Sequence, residues 1–121
     1  RFDLYRDKYI VIDFWGSWCT PCLAEIPDLK SLYETYGDDL LIIGIACNDN
    51  PERLKRTLDE YNITWPQVIE GEKEDNMYST IYGIRAYPTK ILIGPDRKVI
   101  KSYTGIDRDF YSDIDSILNN Y

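Results

Sequence analysis

The stretch YIVIDFWGSWCTPC, Tyr9 to Cys22, runs an apolar segment directly into two cysteines separated by Thr20 and Pro21. Apart from Asp13, Tyr9 to Trp15 is apolar at successive positions, the pattern of a strand in the middle of a sheet covered on both faces. The continuation LAEIPDLKSLYETY spaces Leu23, Ile26, Leu29, Leu32, Tyr33 and Tyr36 along a helix expected to end at Gly37. The cysteine pair therefore stands where a buried strand gives way to a helix.

That position has chemical consequences. Two cysteines at i and i+3 close a small ring when the first sits at a helix start and the second lies in its first turn. Pro21 suits that turn, because an N–H there would have no helical partner to lose. Cys19 then meets free backbone N–H groups and the positive end of the helix dipole, both of which favour a thiolate. It is the expected nucleophile, reachable from outside. Cys22 is expected to be shielded and to attack the mixed disulfide once Cys19 has captured a partner's sulfur. Two plainer readings compete. A metal site lacks ligands, since the chain has no His and Cys47 is its one further thiol. A purely structural disulfide would close so short a loop that it removes little unfolded-chain entropy. Neither a metal nor a cofactor is expected.

Outward from this unit, Leu40 to Ala46 (LLIIGIA) is a second apolar strand, and the strand-helix-strand order calls for a right-handed crossover with parallel pairing. Asn50 caps a second helix with Pro51 at its first position. Trp65 to Ile69 reads as a short extended piece, GEKEDN as a solvated turn, and Asn76 to Tyr82 as a short helix. Thr89 to Ile93 and Val99 to Tyr103 form an antiparallel hairpin across Gly-Pro-Asp-Arg. Asp107 caps a last helix carrying Phe110, Ile114, Ile117, Leu118 and Tyr121. The fold class is α/β, a central mixed sheet flanked by helices on both faces.

Bulk properties narrow the function. A chain of 121 residues with 44% hydrophobic content supports a single core, so residues 1–121 read as one domain. Fourteen basic against 21 acidic residues leave a net charge of −7, which opposes binding to nucleic acid or anionic membrane surfaces. No apolar run approaches the roughly 20 residues needed to span a bilayer. RFDLYRDKY carries no initiator Met, so the domain reads as a fragment of a longer precursor. A monomer is expected.

DFWGSWCTPC resembles the active-site signature of the thioredoxin superfamily. Its extension to Glu25 and Pro27, C-x-x-C-x-x-E-x-P, is similar to the TlpA/ResA branch of extracytoplasmic thiol-disulfide oxidoreductases. The likeness runs through IYGIRAYPTKILI to the closing hairpin and helix, while the N-terminal strands usual in that branch are short or absent. The resemblance implies a thioredoxin-like fold and a buried Asp13 that moves protons to and from Cys22. It implies a cis Tyr87–Pro88 bond beside the dithiol, where the main chain pairs with an extended substrate. Trp18 is expected to shield the site and offer an apolar contact. For Glu25 two readings stand: assistance to Cys22, or a first-turn acid that complements the helix dipole. Pro27 should kink the helix.

Cys47 ends an apolar strand and is expected to be small, buried and inert. Most tyrosines, among them Tyr33, Tyr36 and Tyr61, fall on helix stripes and read as core. No cation adjoins Cys19 in sequence, so its thiolate is only mildly favoured, and reduction of protein disulfides is the expected direction. Implied partners are disulfide-containing proteins and a membrane thiol-disulfide electron donor. The implied setting is extracytoplasmic, periplasmic, with an anchor outside this chain. The alternatives are a disulfide oxidase or isomerase, or a peptide-binding module without catalysis.

Overall fold

The computed structural model describes residues 7–70 and 77–119. In chain order these form β1 (Tyr9–Trp15), α1 (Thr20–Tyr36), β2 (Leu40–Ala46), α2 (Pro51–Glu60), β3 (Gln67–Ile69), α3 (Met77–Ile81), β4 (Thr89–Ile93), β5 (Val99–Thr104) and α4 (Arg108–Leu118). The sheet order is β3-β2-β1-β4-β5. β1 pairs parallel with β2, and β2 with β3; β1 pairs antiparallel with β4, and β4 with β5. The sheet is mixed, as expected, with β1 at its centre.

Two successive right-handed crossovers step from β1 to β2 to β3 in one direction, so α1 and α2 lie on the same face. Their side chains share a cluster in which Trp15, Cys22, Ile26 and Leu54 meet. α4 joins that face, where Phe110, Ile114 and Leu118 pack with Val11, Leu29 and Leu92. On the other face Phe14, Ile45 and Ile91 pack together, and the Tyr82 ring after α3 reaches Phe14 at 5.8 Å between centroids. Helices therefore flank both faces. The alternation within β1 turns Val11, Asp13 and Trp15 towards α1 and Ile12 and Phe14 away from it.

Local chemistry sets the boundaries. Asn50 accepts from the Arg53 N–H at 2.8 Å and Asp107 from the Asp109 N–H at 3.0 Å, the two caps expected. α1 runs through Pro27, whose ring nitrogen has no hydrogen to return to the turn before it. Gly37 does end this helix, but at φ −59 rather than in the left-handed region. Its requirement is steric: a Cβ there would stand 2.7 Å from the Tyr33 carbonyl oxygen. The GEKEDN turn, the first six residues and Tyr121 lie outside the described residues. Among the described residues no helix is long and apolar enough to cross a membrane.

Candidate active site

Cys19 is the N-cap of α1, in an extended conformation at φ −98 and ψ 105. Its own N–H donates to the Gly16 carbonyl at 3.1 Å, and the Cys22 N–H donates to Cys19 Sγ at 3.3 Å. With Pro21 in the first turn, the ring of Cys19 to Cys22 closes at a Cα separation of 5.2 Å, and the two are joined in a disulfide. A backbone donor thus points at the sulfur that the sequence assigns as nucleophile.

The loop before Cys19 is held by a residue that the sequence reading missed. Asp49, 1% exposed, accepts from the Ser17 N–H at 2.7 Å and from the Ser17 hydroxyl at 2.6 Å. Arg53 adds its Nε at 3.0 Å from Ser17 Oγ and 3.2 Å from Asp49 Oδ1. The adjoining Asn50-Pro51 reads as a helix cap and hides this second use of the same corner.

Trp18 lies beyond that anchor, 43% exposed, with Nε1 donating to the Cys47 carbonyl at 2.7 Å. Its ring meets Tyr87 edge-on at 5.4 Å between centroids. Gly16 permits this pose, since a Cβ there would overlap the indole. The expectation of a reachable Cys19 beside a shielded Cys22 is corrected here: in the disulfide form they are 4% and 3% exposed. What distinguishes the two sulfurs in this form is the N-cap position of Cys19 and the N–H directed at it, not accessibility. The Tyr87–Pro88 bond is cis, and the Tyr87 side chain packs against the cluster that holds both cysteines. No backbone hydrogen bond joins Tyr87 to the other described residues, whereas the Pro88 carbonyl accepts from the Gly105 N–H at 2.7 Å.

Behind the disulfide three buried charged side chains meet. Asp13 and Lys90 are direct partners in the antiparallel register of β1 and β4. Lys90 Nζ stands 2.6 Å from Glu25 Oε1 and 3.5 Å from Asp13 Oδ1. The Tyr111 hydroxyl donates to Glu25 Oε2. Burial pushes the Asp13 carboxyl up to about 6; the Lys90 charge pulls it down and the Glu25 charge pushes it further up. Asp13, Cys22, Trp15 and Trp65 line one cavity of about 10 Å³, at the lower limit of room for one water molecule. Glu25 is not a first-turn acid, because α1 carries none there. At 3% exposure and paired with Lys90 it cannot serve as a surface complement to the helix dipole, so that reading falls. Lys90 itself was legible in part: in TKILI it alternates with the inward-facing Leu92.

Cys47 is fully buried, and burial first, then the nearby Glu70 charge, pushes its thiol up to about 12. Such a thiol carries almost no thiolate at neutral pH. Glu70 is itself buried, accepting from the Tyr78 and Ser79 N–H groups at 2.7 and 3.2 Å and from the Ser79 hydroxyl at 2.9 Å. Among the described residues no cluster of three or more His, Cys, Asp or Glu side chains is placed to hold a metal ion.

Residues 1–102 match the AhpC/TSA family. The chain belongs to that family. Within it the sequence is similar to the thiol-disulfide oxidoreductase ResA of Halalkalibacterium halodurans, 35% identical over 99 residues that make up 81% of this chain and 54% of that protein. ResA of Geobacillus thermodenitrificans is 32% identical over 106 residues, 87% of this chain and 59% of that protein. The chain thus spans little more than half the length of these curated relatives. The thioredoxin domain of a thiol-disulfide oxidoreductase from Bacteroides vulgatus superposes with a TM-score of 0.84 at 25% identity, over 97% of this chain and 84% of that one. A Bacteroides fragilis thiol-disulfide oxidoreductase gives 0.81 at 23% identity, over 93% and 83%. The fold is thioredoxin-like, as this AhpC/TSA chain's sequence implied.

Proposed function

We propose that this chain is a thiol-disulfide exchange enzyme that reduces disulfides in extracytoplasmic proteins. The observation that carries the reading is the Cys19–Cys22 disulfide at the head of α1, with the Cys22 N–H directed at Cys19 Sγ. In the reduced enzyme the Cys19 thiolate attacks a substrate disulfide, a mixed disulfide forms, and Cys22 displaces the substrate's second sulfur. Asp13 accepts and returns the Cys22 proton across the cavity they share. The Tyr87 backbone, unpaired within the described residues, receives an extended segment of substrate, with Trp18 and Tyr87 flanking it. The domain works as a monomeric part of a longer protein held outside the cytoplasm. A membrane thiol-disulfide carrier regenerates its dithiol. The thiol-disulfide oxidoreductase names of its relatives support the exchange chemistry.

Reduction is favoured over oxidation on electrostatic grounds. The cation behind the pair, Lys90, is bound to two carboxylates, which leaves the helix N-terminus as the stabiliser of the Cys19 thiolate. The potential should lie nearer the about −270 mV of thioredoxin than the about −120 mV of DsbA. The test is insulin reduction with dithiothreitol as electron source. Wild-type protein should precipitate the insulin B chain, and Cys19→Ser should not. Cys22→Ser should retain the substrate as a mixed disulfide on Cys19. A wild-type rate no faster than dithiothreitol alone rejects the reading.

A further inference from the structure

The two rings beside the disulfide, Trp18 and Tyr87, are both tied to Cys47, the residue that follows β2. Its carbonyl accepts from Trp18 Nε1 at 2.7 Å, and Tyr87 packs against the buried cluster of Phe14, Ile45 and Cys47. There the Tyr87 phenol meets the Cys47 thiol and the Ser79 hydroxyl, and the Glu70 charge acts on both thiol and phenol. Burial first, then the adjoining thiol, pushes the phenol up to about 12, so at neutral pH it keeps its proton and donates. Glu70 reaches this place by strand register. β3 sets Ile69 opposite Ala46, and one residue on, the Glu70 N–H donates to the Ala46 carbonyl at 2.7 Å while the Glu70 carbonyl accepts from the Asp49 N–H at 3.2 Å. Both carboxylate oxygens are engaged: Oε2 by the Tyr78 and Ser79 N–H groups at 2.7 and 3.2 Å, Oε1 by the Ser79 hydroxyl at 2.9 Å. Capping so short a helix asks only for a small polar side chain at its surface. A carboxylate 3% exposed, set beside a thiol and a phenol, is costly for that task alone.

We propose that Glu70 is a positioning residue for substrate selection: through Ser79 and Cys47 it fixes the Tyr87 phenol, and with it the spacing of the Tyr87 and Trp18 rings that admits an extended apolar segment beside Cys19. This rests on the reading of the Tyr87 main chain as the place where substrate docks. The edge-on contact of the two rings leaves each free to turn about its own side-chain bonds. Tethering each ring at its polar tip removes that freedom before substrate arrives, so less ordering is left to the binding step. Trp18 is tethered through its indole N–H to the Cys47 carbonyl, Tyr87 through its phenol to the cluster that Glu70 holds. Both tethers meet at Cys47, so the two walls keep a common reference at the end of β2. Two aromatic walls suit apolar neighbours of the substrate cysteine. Glu70 touches neither the substrate nor the reacting sulfurs, and its effect passes through Tyr87.

The test compares two captures by Cys19 in a Cys22→Ser parent, where the mixed disulfide is not resolved. One probe is an extended apolar peptide whose cysteine is disulfide-bonded to nitrothiobenzoate; the other is the symmetric nitrothiobenzoate disulfide, with no peptide. In both, the Cys19 thiolate bonds to one sulfur and nitrothiobenzoate leaves as a coloured thiolate. Glu70→Gln and Tyr87→Phe should each lower the ratio of peptide rate to small-disulfide rate about five- to tenfold, the worth of one well-made hydrogen bond. The double variant should lower it no further than the stronger single one, because both act on one tether. Ser79→Ala keeps the two N–H bonds to Glu70, should give a smaller drop, and decides the matter if Glu70→Gln does not fold. A residue that only stabilises the fold would lower the urea midpoint and leave the ratio unmoved. A ratio at the parent value in folded Glu70→Gln or Ser79→Ala, or losses from Glu70 and Tyr87 that multiply in the double variant, overturns the proposal. Capture needs no turnover. A wild-type protein active on insulin with an unmoved ratio in the variants therefore rejects the role of Glu70 alone, and a moved ratio in a protein inert towards insulin rejects the exchange reading alone.

Discussion

Ser17 Oγ and Asp49 Oδ1 meet at 2.6 Å inside the protein, and the Ser17 N–H reaches the other oxygen of the same carboxylate at 2.7 Å. One side chain at the junction of β2 and α2 thus fixes the loop that aims Trp18 and Cys19. Asp49→Ala leaves two buried donors without an acceptor and should cost about 2–4 kcal/mol. The urea midpoint should fall with little change in slope. Asp49→Asn keeps one acceptor for Ser17 and should lose less; equal losses would assign the effect to charge instead of the paired acceptor.

Asp13 makes stability depend on pH with a definite sign. Its folded value of about 6 lies above the ordinary 3.8, so the native state holds more protons than the unfolded chain between those limits. The associated stability is fully present below about 3.8 and is lost as pH rises through about 6. Asp13→Asn removes the dependence. Two units at 1.36 kcal/mol each make the oxidised variant more stable than wild type by about 3 kcal/mol above pH 7. The two should converge near pH 4. Urea denaturation across this range checks it, and a gap that is constant with pH would contradict the assignment.

These two carboxylates also mark how far the sequence could be read. The β1 stretch declares its strand through continuous apolarity, and α1, α2 and α4 declare themselves through caps and stripes, because those signals are local. Asp13 stood out as an acid inside an apolar strand. Its partner Lys90 is 77 positions away in the chain, brought opposite by the register of β4 on β1. Nothing local in TKILI says that the lysine turns inward beyond its alternation with Leu92. Asp49 was hidden for a different reason: a polar run before a proline already has an explanation as a cap. Glu25 was misread as a possible dipole complement because the helix start, set by Cys19 as N-cap, places it beyond the first turn.

Trp18, the residue before Cys19, is held by two contacts, the bond to the Cys47 carbonyl and the edge of Tyr87. Trp18→Ala removes both and should raise the rate of Cys19 alkylation by iodoacetamide several-fold in the reduced protein. With substrate docking against the indole as proposed, it should also raise KM for insulin more than it lowers kcat. Trp18→Phe retains the ring contact and should fall between. An alkylation rate unchanged in Trp18→Ala would mean that the ring does not guard the sulfur.

Gly44 faces Asp13 across the β1–β2 register, and its missing side chain is filled by the amide of Gln67. That amide oxygen accepts from Trp15 Nε1 at 2.9 Å, which holds the indole over the cavity lined by Cys22 and Asp13. Gly44→Ala drives a methyl into the Gln67 amide and should cost about 1–3 kcal/mol, with a shift in tryptophan emission as Trp15 loses its acceptor. Gln67→Ala opens the space the methyl needs. The double variant should therefore be more stable than the sum of the two single losses predicts, by about 1 kcal/mol. Simple additivity in the cycle would place the strain of Gly44→Ala in the strand backbone instead, and with it would go the case that Gln67 is what this glycine accommodates.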